Sequence, residues 1–521
     1  MSTHAAHHPK SPIDRLVAWF AIAGTVVVAI LSVMGFLSHV GHEAVPAAEA
    51  AAVSELEPPF IAPADPAAHE SSPHSHEEHA VAAPPPMWWL GTVPFVTLLL
   101  AIAVLPLVPF TAHWWEANLH RLAVALGLAF LTLVYYVAVG GTDVAIAAVG
   151  HAIPGEYVPF IVLLFSLYVI SGGIAILGDF RPTPIVNTAF LAIGTGIASG
   201  VGTTGASMLL IWPLLRTIAK RRHRVHTVVF FIFLVANVGG TLLPTGDPPL
   251  FLGYLRGVPF LWTLSLWGEW LATSGALLLA YFIWDTVVWR REDAEVRAWR
   301  PSGGGFRIVG GLNLLWLALV VLLVATVQEG KPLPLIGFTA FPFLRELLML
   351  ACVGLSLATT PREARETNRF NYTAIIEVAC LFVGIFITMQ VPLEVLKASG
   401  SELGLTNPAQ FFWFTGVLSS FLDNAPTYLV FFQTAETLTH EPGPGILQLL
   451  GGEYVREDLL TGVSIGAVFM GAMTYIGNGP NFMVRSIAEQ SGIRMPSFFG
   501  YMLYSIAILL PLMIVVTLVF L

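Results

Sequence analysis

Apolar runs long enough to cross a bilayer fill most of the chain, and one run in each half is interrupted in the same way. A membrane-spanning helix needs about 20 apolar residues. The runs that meet or approach this length are Leu16–Leu37, Trp88–Phe110, Leu122–Val139, Val158–Leu177, Thr227–Tyr254, Leu264–Val288, Ile308–Val327, Pro342–Ala358, Thr373–Leu396, Leu459–Glu489 and Phe498–Leu521. Two further pairs, 184–218 and 408–435, are each too short for two crossings. They predict re-entrant helical hairpins whose polar tips, Gly200–Gly205 and Asp423–Pro426, are buried in protein. The predicted fold is an all-α polytopic membrane protein of about 11 transmembrane helices plus two re-entrant helical hairpins.

The runs Thr227–Tyr254 and Leu459–Glu489 are broken by Gly, Pro, Asn and Thr. The first break lies in NVGGTLLPTGDPPLFL (237–252) and the second in GAMTYIGNGPNFMV (471–484). Gly246-Asp247-x-Pro249 falls opposite Gly477-Asn478-x-Pro480, and Ser199 and Thr204 fall opposite Ser419 and Asn424. With the N-terminus inside, the two hairpins enter from opposite sides, so the pattern predicts an inverted repeat with two broken helices. Interrupted hydrophobic segments at matching places in two halves point to the binding site of a secondary transporter. The expected organisation is 1–39, an N-terminal transmembrane helix or signal anchor; 40–86, a linker; 87–288, a first transporter repeat; 289–306, a cytoplasmic loop; and 307–521, a second repeat.

Composition agrees: 56% of residues are apolar and 11% charged, against roughly 25% charged in soluble domains. Of the 24 Lys and Arg, only Arg256, Lys331, Arg345, Lys397 and Arg456 fall outside in this topology, a positive-inside distribution that suits the cytoplasmic membrane of a bacterium. The first run, Leu16–Leu37, exceeds the apolar core of a signal peptide and reads as a retained helix. Residues 40–86 are rich in Ala, Pro, Glu and His without Lys or Arg, a disordered composition. Their His69, His74, His76 and His79 imply no fixed ligand geometry and read as solvated. Cys352 and Cys380 sit in apolar runs and read as packing residues. No Walker A motif or enzyme signature is present. Neither a cofactor nor a nucleic-acid partner is expected.

The candidate chemistry lies at the interruptions. Asp247 and Asp423 are carboxylates at membrane depth with no basic residue within a helical turn, and such groups mark ion pathways. Each can hold a proton or a metal cation, which gives a physical basis for exchange; each can also cap the half-helix that follows it. Asn237, Asn424, Asn478 and Asn481 add amides, and Thr203, Thr204, Ser207, Ser419, Thr245 and Thr427 add hydroxyls, some of which serve only local backbone. Glu377, about one and a half turns inside its helix, is a candidate proton relay. Asp179 and Asp285 read as solvated near cytoplasmic ends, Glu346 as a local partner of Arg345, and Arg485 as snorkelling to the inner surface.

At these residues the chain resembles the ion transporter superfamily, and most of all its citrate-transporter-like sodium:proton antiporters of the D type. The likeness rests on GTTGASMLLIWPLLR (202–216), NVGGTLLPTGDPPLFLGYLRGVPFLWTL (237–264), SSFLDNAPTYLVFF (419–432) and YIGNGPNFMVRSIAEQSGIRMPSFFGYML (475–503). Asp423-Asn424 matches the antiporters' Asp-Asn hairpin element and Gly246-Asp247 their Gly-Asp element. The dicarboxylate symporters of the same superfamily carry Ser-Asn-Thr at each tip, where this chain reads Gly202-Thr203-Thr204 and Asp423-Asn424-Ala425. The resemblance implies a secondary active transporter exchanging Na⁺ for H⁺ by alternating access, with Na⁺ at Asp247 and Asp423. The alternative is a cation-coupled carrier of citrate or another carboxylate. An alternative of another class is a non-transporting membrane sensor or assembly protein. The lipid bilayer is the expected surrounding, and a homodimer is a candidate assembly.

Overall fold

A computed structural model describes residues 84–301, 305–333, 337–439 and 441–521. The predicted first helix, and nearly all of the linker with its histidines, lie outside the described residues. Most of what is described is helical. The strands among the described residues form two small antiparallel ribbons, Ala175–Leu177 with Arg307–Val309 and Ile446–Gln448 with Tyr454–Arg456.

Four helices are long and apolar enough to cross a membrane, or six if two bent pairs each count as one span, among the described residues. The molecule is therefore a helical, multi-pass membrane protein. The spans expected at 122–139 and 158–177 are joined without a loop. Asn118–Gly150 runs through a π-helical turn, His151–Tyr157, into Val158–Ser171. These 54 residues would make a rod of about 80 Å if straight, far more than the roughly 30 Å hydrocarbon core. Gly141, at φ 84°, breaks the rod where only glycine adopts the backbone freely. The span expected at 88–110 is likewise bent. Trp88–Val104 and Pro109–Trp115 diverge by 103°, because Pro106 and Pro109 cannot continue a helix.

Both pairs 184–218 and 408–435 fold as helix, break, helix. Pro184–Val201 turns at Gly202, φ 80°, into Thr203–Thr217. Pro408–Phe421 opens on a capping box of Asn407 and Gln410 and turns at extended Leu422 into Asn424–Glu436. The open end of the first hairpin sits at the Val225 end of the first broken span, tied by Arg221 to Asp285 of the helix Trp267–Arg290. The open end of the second sits at the opposite end of that span, where Leu450 N–H donates to Gly257 O at 2.8 Å.

Small residues let these elements approach closely, the usual device of membrane helix packing. A Cβ on Gly462 would lie 2.5 Å from Pro408 O, and one on Gly466 2.6 Å from Phe412 O. These contacts seat Glu457–Met470 against the second hairpin. Gly384 does the same for Thr373–Thr388 against Ala125 of Asn118–Gly150. The first broken span is apolar on every side, and every residue from Thr227 to Val238 is fully buried, as a helix without a polar face must be. Peripheral helices instead expose apolar side chains such as Ile146, Leu503 and Leu518, as lipid contact requires.

Asp285 corrects an expectation. It is completely buried rather than solvated. Arg221 donates to it at 2.6 and 2.8 Å, His226 Nε2 lies at 2.8 Å and Asn187 Nδ2 at 3.1 Å. A buried carboxylate is tolerated when paired and hydrogen-bonded, and its partners come from segments 59 or more positions away, beyond any local pattern: hairpin, connecting turn and broken span.

Candidate functional site

In the first broken span the helix Val225–Leu234 gives way to a 3₁₀ turn, Val238–Thr241, and restarts as Pro248–Leu255. In the second, Glu457–Met470 gives way to Gly471–Met473 and restarts as Gly479–Gln490. Asp247 and Asn478 stand in extended backbone directly before the two restarting helices. The same sequence interval separates Gly240 from Gly471, Gly246 from Gly477 and Asp247 from Asn478. A Cβ on Gly246 would overlap Gly240 O, and one on Gly477 would lie 2.6 Å from Gly471 O. Each break thus folds on itself through a glycine that leaves no room for a side chain.

The hairpin tips fasten to the breaks. Thr203 N–H donates to Gly246 O at 2.7 Å, and Ser199 Oγ donates to Gly239 O at 2.6 Å. In the second unit Ser419 Oγ donates to Ala467 O at 2.7 Å and Ser420 Oγ to Met470 O at 3.1 Å. Hydroxyls here satisfy the backbone groups that the breaks release, which must find partners away from water.

Asp247 is the hub. Its side chain does not cap its own helix. Instead Oδ1 accepts from Thr203 Oγ1 at 2.9 Å and Asn478 Nδ2 at 3.0 Å, and Oδ2 accepts from Asn424 Nδ2 at 2.6 Å. One buried carboxylate therefore joins both hairpins and the second break. The network continues from Asn478 Nδ2 to Asn237 Oδ1 at 3.2 Å, from Asn237 Nδ2 to Asn481 Oδ1 at 2.7 Å, and from Asn481 Nδ2 to Gly471 O at 2.8 Å and Thr474 O at 2.9 Å. Asn424 Oδ1 and Ser207 Oγ are buried without a hydrogen-bond partner. Asp423 does cap its helix, accepting from Ala425 N–H at 3.1 Å. Thr427 and Thr245 bond backbone carbonyls of Asp423 and Ser199.

Asp247, Asp423, Asn478, Thr203 and Thr204 line one cavity of about 410 Å³. Of the other expected site residues, Thr245 also lines it, whereas Ser207, Asn237, Asn424, Asn481 and Thr427 do not. The same cavity is also lined by apolar side chains, including Phe160, Leu167, Met208 and Phe382, by a second polar group, Arg121 with Glu377, and by Arg369, Asn371 and Gln490. Arg121 Nη1 pairs with Glu377 Oε2 at 3.0 Å. Arg369 lies over the Trp212 ring, 5.0 Å from its centroid. Sequence reasoning missed Arg121. The available signal was a lone arginine at the start of a long apolar run, which is costly unless it faces a partner or an aqueous cavity. Arg485 pairs with Glu489 at 3.1 Å and Arg345 with Glu346 at 2.6 Å.

The cavity's donors are hard oxygens and amides beside two carboxylates, chemistry suited to a small cation. The guanidinium groups of its wall suit a carboxylate. Fold and site together define a helical, multi-pass membrane protein with a polar cavity built on two broken spans. Residues 84–521 match the family described as putative citrate transport, and the chain belongs to that family. No curated protein matches the chain.

Proposed function

We propose that the protein is a secondary active carrier of a citrate-class carboxylate, coupled to Na⁺ or H⁺ and working by alternating access in the cytoplasmic membrane. The observation that carries this reading is the charge pattern of this cavity, lined by the carboxylates Asp247, Asp423 and Glu377 and by the guanidiniums Arg121 and Arg369. Three acids against two guanidiniums leave the cavity short of positive charge. A polyvalent carboxylate entering such a low-dielectric space is strongly disfavoured unless cations enter with it. Coupling then follows from electrostatics, with the cation held at the two aspartates and the carboxylate toward the arginines. The family description supports the carboxylate.

The finer architecture belongs to the same reading: about 11 crossings, two re-entrant hairpins and an inverted repeat, with the hairpins entering from opposite sides. With 360–371 facing the cytoplasm, the lining residues Asn368, Arg369, Asn371 and Gln490 make this an inward-facing state. On the outer side the Glu156–Arg256 ion pair, with Gln390 Nε2 donating to Glu156 at 3.1 Å, closes the path.

Na⁺/H⁺ exchange without a carboxylate is a second reading. It is favoured by one observation: among the described residues neither Asp247 nor Asp423 forms an ion pair. Uptake of radiolabelled citrate and of radiolabelled Na⁺ into proteoliposomes, under imposed Na⁺ and pH gradients, separates the two. Citrate uptake that requires inward Na⁺ or H⁺ supports the carrier. Pure Na⁺/H⁺ exchange with no citrate movement supports the antiporter. No flux of any kind points to the non-transporting alternative.

A further inference from the structure

Arg121 is 7% exposed. Within the protein its Nη1 carries two bonds, to Glu377 Oε2 at 3.0 Å and to Asn118 Oδ1 at 2.9 Å, while its Nε–H is buried without a partner. A guanidinium presents five donors in a planar fork suited to carboxylates, so the Nε edge is an unused carboxylate-binding face. Glu377 is a third exposed and lines the cavity beside Arg121. The helices that carry them, Asn118–Gly150 and Thr373–Thr388, meet closely at Ala125 and Gly384 and so hold the pair in register. Neither residue shares a hydrogen bond with Asp247, whose side-chain partners are Thr203, Asn424 and Asn478.

We propose that Arg121 is the docking point for one carboxylate of the transported anion, and that Glu377 is its internal stand-in. In the empty cavity Glu377 occupies the guanidinium. An arriving carboxylate takes over Arg121, the Glu377 bond to Nη1 breaks, and Glu377, left without its cation, takes up one proton from the bulk solution. Substrate binding and protonation thereby become one event at a place distinct from the Asp247 hub. Among the described residues Arg121 is the one group bonded to the Glu377 carboxylate. The other charged or titratable groups are Cys380 on its own helix and, among the residues lining the same cavity, Arg369, Asp423, Asp247, Tyr168 and Tyr475. The inference rests on the carboxylate-carrier reading.

The test uses purified full-length protein in weakly buffered detergent solution. Citrate binding is measured by calorimetry together with proton uptake from a pH indicator, in wild type, Arg121→Gln, Arg121→Lys and Glu377→Gln. Wild type should bind citrate with net proton uptake. Glu377→Gln should bind citrate at least as tightly and take up one proton fewer. Arg121→Gln should weaken citrate binding at least tenfold while leaving Na⁺-induced thermal stabilisation unchanged, and Arg121→Lys should fall between. Wild-type citrate affinity in Arg121→Gln, or full proton uptake in Glu377→Gln, overturns the inference while the carrier reading stands. Absence of binding of citrate and of other di- and tricarboxylates by wild type sinks the carrier reading, and the inference with it. If Arg121→Gln does not fold, the proton count in Glu377→Gln still decides.

Discussion

Asn478 Nδ2 donates to Asp247 Oδ1 at 3.0 Å, and the two residues hold the same position in the two broken spans. The pair of interruptions is therefore one structure: the carboxylate of one unit is bound by the amide that replaces it in the other. A hub of this kind transmits displacement, because moving either hairpin disturbs bonds to Thr203 or Asn424 on the same side chain.

Asp247→Asn should fold and yet fail to couple. The Asn oxygen can keep the Oδ1 bonds to Thr203 and Asn478, and Asn424 can turn its unpartnered Oδ1 toward the new amide. Loss of stability should stay within about 1 kcal/mol. Removing the charge should lower cation-coupled flux at least a hundredfold, and Asp423→Asn should do the same, since Asn preserves capping. Thermal melts and proteoliposome flux check both. Under the proposed coupling protons and Na⁺ compete for these oxygens, so apparent Na⁺ affinity in wild type should weaken as pH falls. Wild-type coupling in the double mutant would falsify a role for either aspartate.

Gly246→Ala and Gly477→Ala should each cost about 1–3 kcal/mol or more, because the new Cβ meets backbone, Gly240 O in one case and Gly471 O in the other, and backbone cannot turn aside. Gly196→Ala is the control. No atom lies within 4 Å of its Cβ position in the helix Pro184–Val201, so the change should be neutral or stabilising by up to about 1 kcal/mol. Apparent melting temperatures of the three variants measure the contrast.

Asp285→Ala should destabilise by about 3 kcal/mol, since it leaves the buried Arg221 guanidinium with only the more distant Glu292, 3.6 Å away. The neighbouring Glu292 adds a pH term. Burial works against its charge, but N–H groups of Arg222 and His223 and the Arg221 guanidinium outweigh it and hold the carboxyl below its ordinary value. A depressed folded-state value contributes stability that is fully present above the unfolded value of about 4.3 and is lost as pH falls through the folded one. The difference in melting temperature between wild type and Glu292→Gln should be flat from about pH 7 to 5 and shrink below about pH 4. A difference that grows toward acid pH would contradict the assignment.

Single cysteines at Arg222 and Arg297, in a background lacking the buried Cys352 and Cys380, should react with impermeant thiol reagent only from the cytoplasmic side. Ser486→Cys, on the cavity wall, should react from the same side and be protected by transported anion. Labelling of Arg222→Cys or Arg297→Cys from outside intact cells would reverse the orientation derived from the basic residues.

The legible part of the site was the part written in consecutive residues. Gly-Asp-x-Pro and Gly-Asn-x-Pro announce helix restarts because Gly and Pro act on the backbone locally, and Asp247 and Asp423 stand out because charge is rare in an apolar run. Less legible was the fate of each carboxylate. Both were readable as helix caps, yet Asp423 caps and Asp247 does not, because only the fold brings Asn424 and Asn478 within reach of the latter. Asp285 was misread for the same reason: its partners Asn187, Arg221 and His226 are remote in sequence.

The sequence by itself determined the medium, the helical class, the doubled interruptions and their polar content, since each depends on transfer of side chains and backbone into hydrocarbon, a property of short stretches. The tertiary structure decided which polar groups meet. It gathered Thr203, Asn424 and Asn478 on one carboxylate, set Arg121 against Glu377, and merged both clusters into one cavity. Those pairings depend on how glycine-lined helices pack across 44 or more positions of chain, and no local pattern encodes a contact between segments that far apart.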